Sequence, residues 1–181
     1  MHPWHDVDPG PDAPATVRVV VEIPKGSRNK YEVDKESGLF RLDRVLYSPM
    51  HYPGDYGFVP KTFYDDGDAF DVLIVTNEPT FVGCLVDARP VGLFRMRDRG
   101  EPDDKALAVP AKDPTFAGVH DLQDLPPHLL REIEHFFRVY KDLEGAKVET
   151  IAWEPAAFAR ERIAASMRRY REAGLGRASG A

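Results

Sequence analysis

Residues 65–75 read Asp-Asp-Gly-Asp-Ala-Phe-Asp-Val-Leu-Ile-Val, and this stretch sets the architecture. Its first half is turn chemistry, because Asp and Gly favour tight reversals. Its second half, Phe70 to Val75, is an apolar run of strand length bounded by that turn. Asp71 sits at the mouth of the run and ties the acidic loop to the core. The same grammar continues outward. Upstream, Tyr56–Phe63, Leu39–Ser48, Lys30–Asp34 and the β-branched run Thr16–Ile23 are short strands punctuated by Gly, Pro, Asn or Ser. Downstream, Val82–Met96 reads as one or two strands broken near Pro90, and Lys105–Val109 adds another. Strands this short and closely spaced predict a barrel or a sandwich.

The last third changes period. Leu129, Leu130, Ile133, Phe136, Phe137 and Tyr140 recur at helical spacing after the Pro126-Pro127 start, which predicts a helix over Pro126–Leu143. A strand follows at Val148–Trp153. Glu154–Ala173 then reads as a second amphipathic helix, with Phe158, Ile163, Met167 and Tyr170 along one face. The expected architecture is mainly β with α, a β-barrel with two flanking C-terminal helices. Residues 1–15, rich in Pro and Asp, read as a flexible arm, residues 16–173 as one domain, and residues 174–181 as a flexible tail.

Composition narrows the function. The 181 residues are 43% hydrophobic and 30% charged, which is ordinary globular make-up. No stretch approaches the ~18 apolar residues of a membrane span, so no membrane association is expected. The N-terminus has no apolar run of the kind a secretory signal carries. Cys84 stands alone, which excludes an internal disulfide and a cysteine-based zinc site and makes the cytoplasm the default compartment. Cys84 itself reads as a buried strand residue. A net charge of −6 speaks against a general nucleic-acid binder, though bound metal ions can reverse the local sign for an anionic substrate.

Three groups carry chemistry. The loop 65–71 holds four carboxylates and no base. A generic Asp-Asp-Gly-Asp is a solvated turn, but anchorage at Asp71 and mutual repulsion favour a bound hard cation such as Mg²⁺ or Mn²⁺. The EF-hand pattern fails, because Asn77 stands where a bidentate Glu belongs. A second patch runs from Asp98 to Lys105 and alone reads as an exposed hairpin tip. A barrel can bring the two loops to one mouth. The third group is basic and aromatic: Lys30, Arg44, Tyr52, Tyr56, Lys105, Tyr140 and Lys141. Singly these are surface cations and half-buried phenols; together they supply the forked, point-charge and neutral donors of a phosphate site.

At this point the chain resembles the soluble, metal-dependent inorganic pyrophosphatases of bacterial type. The likeness spans roughly Val19 to Trp153. It is carried by Val21-Glu22-Ile23-Pro24, Lys30-Tyr31-Glu32-Val33-Asp34-Lys35, Asp43-Arg44, Tyr52-Pro53-Gly54-Asp55-Tyr56-Gly57, Arg89-Pro90-Val91-Gly92, Asp103-Asp104-Lys105 and the segment His135 to Glu144. Asp66-Gly67-Asp68-Ala69-Phe70-Asp71-Val72-Leu73 is similar to the family signature.

The resemblance implies a distorted five-stranded OB-like barrel, several Mg²⁺ ions per site with Mn²⁺ or Zn²⁺ as substitutes, and a homo-oligomer, typically a hexamer. It assigns Asp66, Asp71 and Asp103 to a first metal and shares Asp71 with a second. Asp98, Asp103 and Glu22 match positions for metals that arrive with substrate. Asp68 matches the general base, while Lys30, Arg44, Tyr56, Lys105, Tyr140 and Lys141 match phosphate ligands. Glu32 and Tyr52 match polar residues just behind them. The implied reaction is hydrolysis of pyrophosphate to two phosphates by a metal-activated water.

Some positions depart from the commonest pattern. Asp55 stands where Asn is frequent, Arg99 where many relatives carry an acid, and His51 in a place often apolar or aromatic. His128 and His135 share a helix face, yet no third ligand has zinc spacing. Three rivals remain: a related metal-dependent phosphatase acting on nucleotides or polyphosphate, a non-catalytic OB-like oligonucleotide-binding module, and a barrel descendant without catalysis. Comparing pyrophosphate with ATP hydrolysis separates the first, and a salt-dependent shift with single-stranded DNA the second. Retention of the metal and phosphate positions speaks against the third.

Overall fold

The structure is a computed structural model and describes residues 1–175. Nine strands and two α-helices occur in the order β1 (Val17–Ile23), β2 (Asn29–Val33), β3 (Phe40–Val45), β4 (Asp55–Val59), β5 (Phe70–Ile74), β6 (Leu85–Asp98), β7 (Glu101–Pro102), β8 (Lys105–Pro110), α1 (Pro127–Val139), β9 (Val148–Pro155) and α2 (Ala156–Glu172). Hydrogen-bonded neighbours run β1-β4-β5-β8-β6, and β6 pairs again with β1, so five strands close a ring. Closure removes the exposed strand edges that an open sheet would carry. The β5–β8 pair is parallel and the other ring pairs are antiparallel. This irregular, five-strand barrel with two helices is the architecture the sequence predicts.

β6 departs from expectation in being one 14-residue strand through Pro90. Its pairing with β8 slips between Pro90 and Gly92. Proline lacks the donor a ladder needs, and a bulge is where that lack is tolerated. The long strand therefore serves β1, β8, β7 and β9. Arg99 and Gly100 then close the β6–β7 hairpin with φ of 51° and 90°, the two-residue pattern of a type I′ turn.

Two apolar layers fix the helices. Ile133, Phe136 and Phe137 of α1 pack with Phe94, Met96 and Val148 on one side. Ala159 and Ile163 of α2 join Val19, Val72, Leu93 and Ala106 on the other. On α2 the face read from the sequence holds at Ile163 and Tyr170, which are buried, but not at Phe158, which is 47% exposed while Ala159 and Ser166 are buried. Ala156, Ala159 and Ser166 fill the inward stripe beside Ile163 and Tyr170, and such small side chains let a helix lie close to a sheet. α1 ends at Val139, and a 3-10 turn over Asp142–Glu144 follows it.

The N-terminal segment is not the loose arm the sequence suggests. It has turns but no strand or helix, and Trp4 is only 7% exposed, packed with Val20, Phe58 and Tyr170. The indole N–H donates to the Thr62 carbonyl at 2.8 Å. One aromatic anchor suffices where no periodicity advertises it. Of the expected tail, residues 176–181 lie outside the described residues. Cys84 lies just before β6 and is partly exposed, so its expected burial in a strand is corrected.

Gly57 shows how tightly the ring closes. A Cβ there would stand 1.9 Å from the Val20 carbonyl oxygen and 2.9 Å from the Val21 Cα. Both neighbours are paired backbone and have nowhere to move. Gly57→Ala is expected to lower the urea midpoint and cost about 3 kcal/mol, at the upper end of overpacking penalties. A midpoint within error of the parent would show that β1 and β4 approach less closely.

Candidate active site

One end of the ring opens into a cavity of about 530 Å³. The acidic loop before β5 delivers Asp66 and Asp68, and β5 itself delivers Asp71. Gly67 turns the loop with a φ of +85°, a conformation L-residues resist, and Asp66 accepts from the Asp68 backbone N–H at 3.0 Å. The β6–β7 hairpin brings Asp98, Asp103 follows it, and β8 opens with Lys105. β1 carries Glu22, whose carboxylate accepts from the Val33 N–H at 2.8 Å. The β2–β3 hairpin leans over the mouth with Lys30 and Glu32, while the C-terminal end of α1 presents Tyr140 and Lys141.

Thirteen of the fourteen residues expected at the site therefore line one cavity. Arg44 does not. It sits behind Lys30, its register partner in the hairpin, and its guanidinium grips Glu144 at 3.0 Å through two nitrogens. Of the departures, Arg99 lines the cavity. Asp55 is 1% exposed and is a structural clamp, accepting from the Lys25 N–H at 2.8 Å and the Thr80 N–H at 3.1 Å. His51 is exposed and outside the lining. His128 and His135 are exposed on α1, beside Glu132 and Arg138 respectively.

The polar geometry is a lattice of alternating charge. Lys105, 3% exposed, donates to Asp71 at 2.7 Å and to Asp103 at 2.6 Å. Tyr56 also donates to Asp71. Lys141 pairs with Asp98, and Lys30 with Glu32 and, at 3.5 Å, with Asp43. Two further ion pairs brace the acidic loops from behind, Arg169 to Asp65 and Arg162 to buried Asp104 at 3.7 Å. α2 thus holds both loops at once.

Burial and crowding strain the acids. Loss of water raises Glu22 to about 8, with Asp71 repelling it further against the opposing Val33 hydrogen bond. Desolvation and the charges of Asp71 and Asp103 raise Asp66 to about 6. Burial also raises Asp71, with Asp103 adding to the rise and Lys105 opposing it. The phenols of Tyr52, Tyr56 and Tyr140 are pushed up by burial, so they remain neutral donors.

Among the described residues no three His, Cys, Asp or Glu side chains already form a closed cage for an ion. The ammonium of Lys105 lies between Asp71 and Asp103 instead. The donors nevertheless fit a hard divalent cation. They are all carboxylate oxygens, burial raises Glu22 and Asp66 so that their anionic forms lack compensation, and Asp98 Oδ1 is buried with no hydrogen-bond partner.

A carboxyl whose native pKa lies above its unfolded value binds more protons folded than unfolded. Its contribution to stability therefore falls as pH rises, from about 4.5 to 8 for Glu22 and about 3.8 to 6 for Asp66. A cation competing with those protons stabilises more at the upper end. Millimolar Mg²⁺ is expected to raise the melting temperature by about 5–10 °C at pH 8 and by much less at pH 5.5. Equal shifts at both pH values would detach these acids from the metal.

Sequence reasoning gave several lining residues no role, Trp4 and Lys35 among them, although Lys35 closes the quoted segment Lys30 to Lys35. Trp4 lay in the supposed arm, and Lys35 in a turn that looks solvated. Glu144 was quoted only within a longer segment, yet it fixes the Arg44 guanidinium.

Comparison with known proteins agrees with this geometry. The family model described as inorganic pyrophosphatase matches residues 19–171. An inorganic pyrophosphatase of Haloferax volcanii is 51% identical over 170 residues, covering 93% of this chain and 96% of that protein. A soluble inorganic pyrophosphatase of Zea mays is 52% identical over 93% of this chain and 79% of its own length. The crystal structure of an inorganic pyrophosphatase from Thermus thermophilus superposes with a TM-score of 0.90 at 39% identity, covering 93% of this chain and 99% of that one. With the closed five-strand ring and its carboxylate-lined mouth, these matches establish that the chain belongs to the inorganic pyrophosphatase family.

Proposed function

We propose that this chain hydrolyses inorganic pyrophosphate to two phosphates at the mouth of the barrel, with Mg²⁺ as its metal and Asp68 as its general base. As a member of its family the chain is an inorganic diphosphatase, a metal-dependent hydrolase of an acid anhydride. One observation carries the finer reading. Eight carboxylic acids and five basic side chains line the cavity, a formal surplus of three negative charges when all are ionised. A compact polyanion is repelled by such a wall unless divalent cations lie between the carboxylates and its oxygens.

Asp66, Asp71 and Asp103 would hold the first ion, with Asp71 shared by a second. Asp98, Asp103 and Glu22 would hold those that enter with substrate. When bound, the ions screen the carboxylates, lower the pKa of a water toward neutrality and withdraw charge from phosphate oxygens.

The chain's own residues do the rest. Lys30 and Lys141 exchange their carboxylate partners for phosphate oxygens, so each cation is paired before and after substrate enters. Tyr56 and Tyr140, kept neutral, donate without adding repulsion. Lys105 neutralises the buried Asp71–Asp103 pair and contacts phosphate. Arg44, aligned by Glu144, adds a cation behind Lys30. Asp68 takes the proton of the attacking water, which approaches phosphorus opposite the leaving phosphate. No covalent intermediate is required.

Phosphate release from pyrophosphate with Mg²⁺, repeated with EDTA, with fluoride and with ATP as substrate, tests the reading. Release is expected only with Mg²⁺, inhibited by fluoride and much faster than from ATP. Preference for ATP would favour a nucleotide phosphatase. Among the described residues no helix is long and apolar enough to cross a membrane. On the family likeness we propose a cytoplasmic homo-oligomer, a hexamer. Light scattering checks that state.

A further inference from the structure

Lys35 is a cation that the reaction scheme leaves unused. It follows β2, lines the cavity, and its ammonium is paired with Asp68, the proposed base. Both partners are exposed, 59% for the lysine side chain and 51% for the aspartate. An exposed pair contributes little and is readily exchanged.

What is unusual is how the lysine is held. Its ammonium stands 5.9 Å from the centroid of the Trp4 ring, and Trp4 lines the same cavity. Trp4 is fixed on its far side by Thr62 and by the Lys61 N–H, which donates to the Trp4 carbonyl at 2.9 Å. His2 Nε2 donates to the Lys35 carbonyl at 3.2 Å. A Cβ on Gly38, at the same turn, would meet His2 at 3.0 Å, so the N-terminal segment is seated closely on this turn. The aromatic face confines an otherwise floppy stem to the cavity mouth, which lowers the ordering cost of a later contact.

We propose that Lys35 is a further substrate-binding residue, a cation that leaves Asp68 for a phosphate oxygen of entering pyrophosphate, and that Trp4 is the residue that positions it. The inference rests on the reading of this cavity as a pyrophosphate site. It gives the N-terminal segment a part in substrate binding, and it leaves the Asp68 carboxylate unencumbered at the moment water must lose a proton.

The test uses the full chain with Mg²⁺, reading pyrophosphate kinetics alongside calorimetric binding of methylenediphosphonate, whose P–C–P bridge cannot be hydrolysed. Lys35→Met is expected to weaken analogue binding by about five- to tenfold and to raise KM by a similar factor, with a much smaller change in kcat. Lys112→Met, the removal of a remote exposed lysine, controls for net charge and is expected to change neither. Trp4→Ala is expected to reproduce part of the Lys35→Met effect, Trp4→Phe to restore it, and Trp4→Ala to add nothing when Lys35 is already Met. Should Trp4→Ala fail to fold, Lys35→Met and Trp4→Phe still decide the matter. Unchanged analogue affinity in Lys35→Met, or a fall in kcat alone, overturns the inference while leaving the proposed reaction standing. A parent protein that neither binds the analogue nor releases phosphate would instead remove the reaction itself.

Discussion

Asp71→Ala is expected to lose about three orders of magnitude in turnover, as when a key transition-state contact is removed, and to require about tenfold more Mg²⁺ for half of what activity remains. Both effects follow from one carboxylate with many neighbours. Asp71 sits at the start of β5 where Lys105 and Tyr56 both donate to it, and its charge is felt by Glu22 and Asp66. Removing it deprives two proposed ions of a shared ligand. It also leaves the buried Lys105 ammonium with Asp103 alone. Titrating phosphate release against Mg²⁺ separates the consequences. A rate loss with unchanged metal dependence would make Asp71 an organiser of Lys105 rather than a metal ligand.

Asp68→Asn should leave the fold and the Mg²⁺ dependence close to the parent's while kcat falls by about 10²–10⁴, the usual worth of a general base. The substitution keeps the shape of the side chain and the backbone N–H that donates to Asp66. What it removes is the ability to take a proton. The side chain is half-exposed at the cavity mouth, so little stability depends on it. Near-normal turnover at saturating Mg²⁺ would take Asp68 out of this role, and Asp103 would be the next residue to test.

The contrast between these two aspartates shows what a sequence can and cannot disclose. Their proximity to each other was legible, because they lie within four consecutive residues, Asp68 to Asp71, that run into a strand. That Asp98 and Asp103 could join them followed from a barrel's capacity to bring two loops to one mouth, but the pairing of β6 with β8 that does so was not legible. The strands were readable from punctuation and β-branching, but Pro90 suggested a break that a bulge absorbs. In helix α2 hydrophobicity located Ile163 and Tyr170 but also pointed to Phe158, which is exposed, and passed over the small buried Ala159 and Ser166. Arg44 matched a phosphate ligand by position, yet Glu144 draws its guanidinium behind the lining.

The N-terminal segment was the least legible. A Pro- and Asp-rich stretch without periodicity looks unstructured, and its packing depends on Trp4 finding the turn beside Thr62. Lys35 was hidden for a related reason. Asp34-Lys35-Glu36-Ser37-Gly38 is an ordinary polar turn in sequence, and only tertiary contact places its ammonium at Asp68.

Turnover as proposed requires carboxylates from separate loops to converge on divalent cations. Crystals soaked in Mn²⁺ and measured for its anomalous signal test this directly. Peaks are expected about 2.0–2.3 Å from carboxylate oxygens of Asp66, Asp71 and Asp103, with Asp71 touching two of them. Peaks elsewhere, with these three side chains bound to no ion, would contradict it.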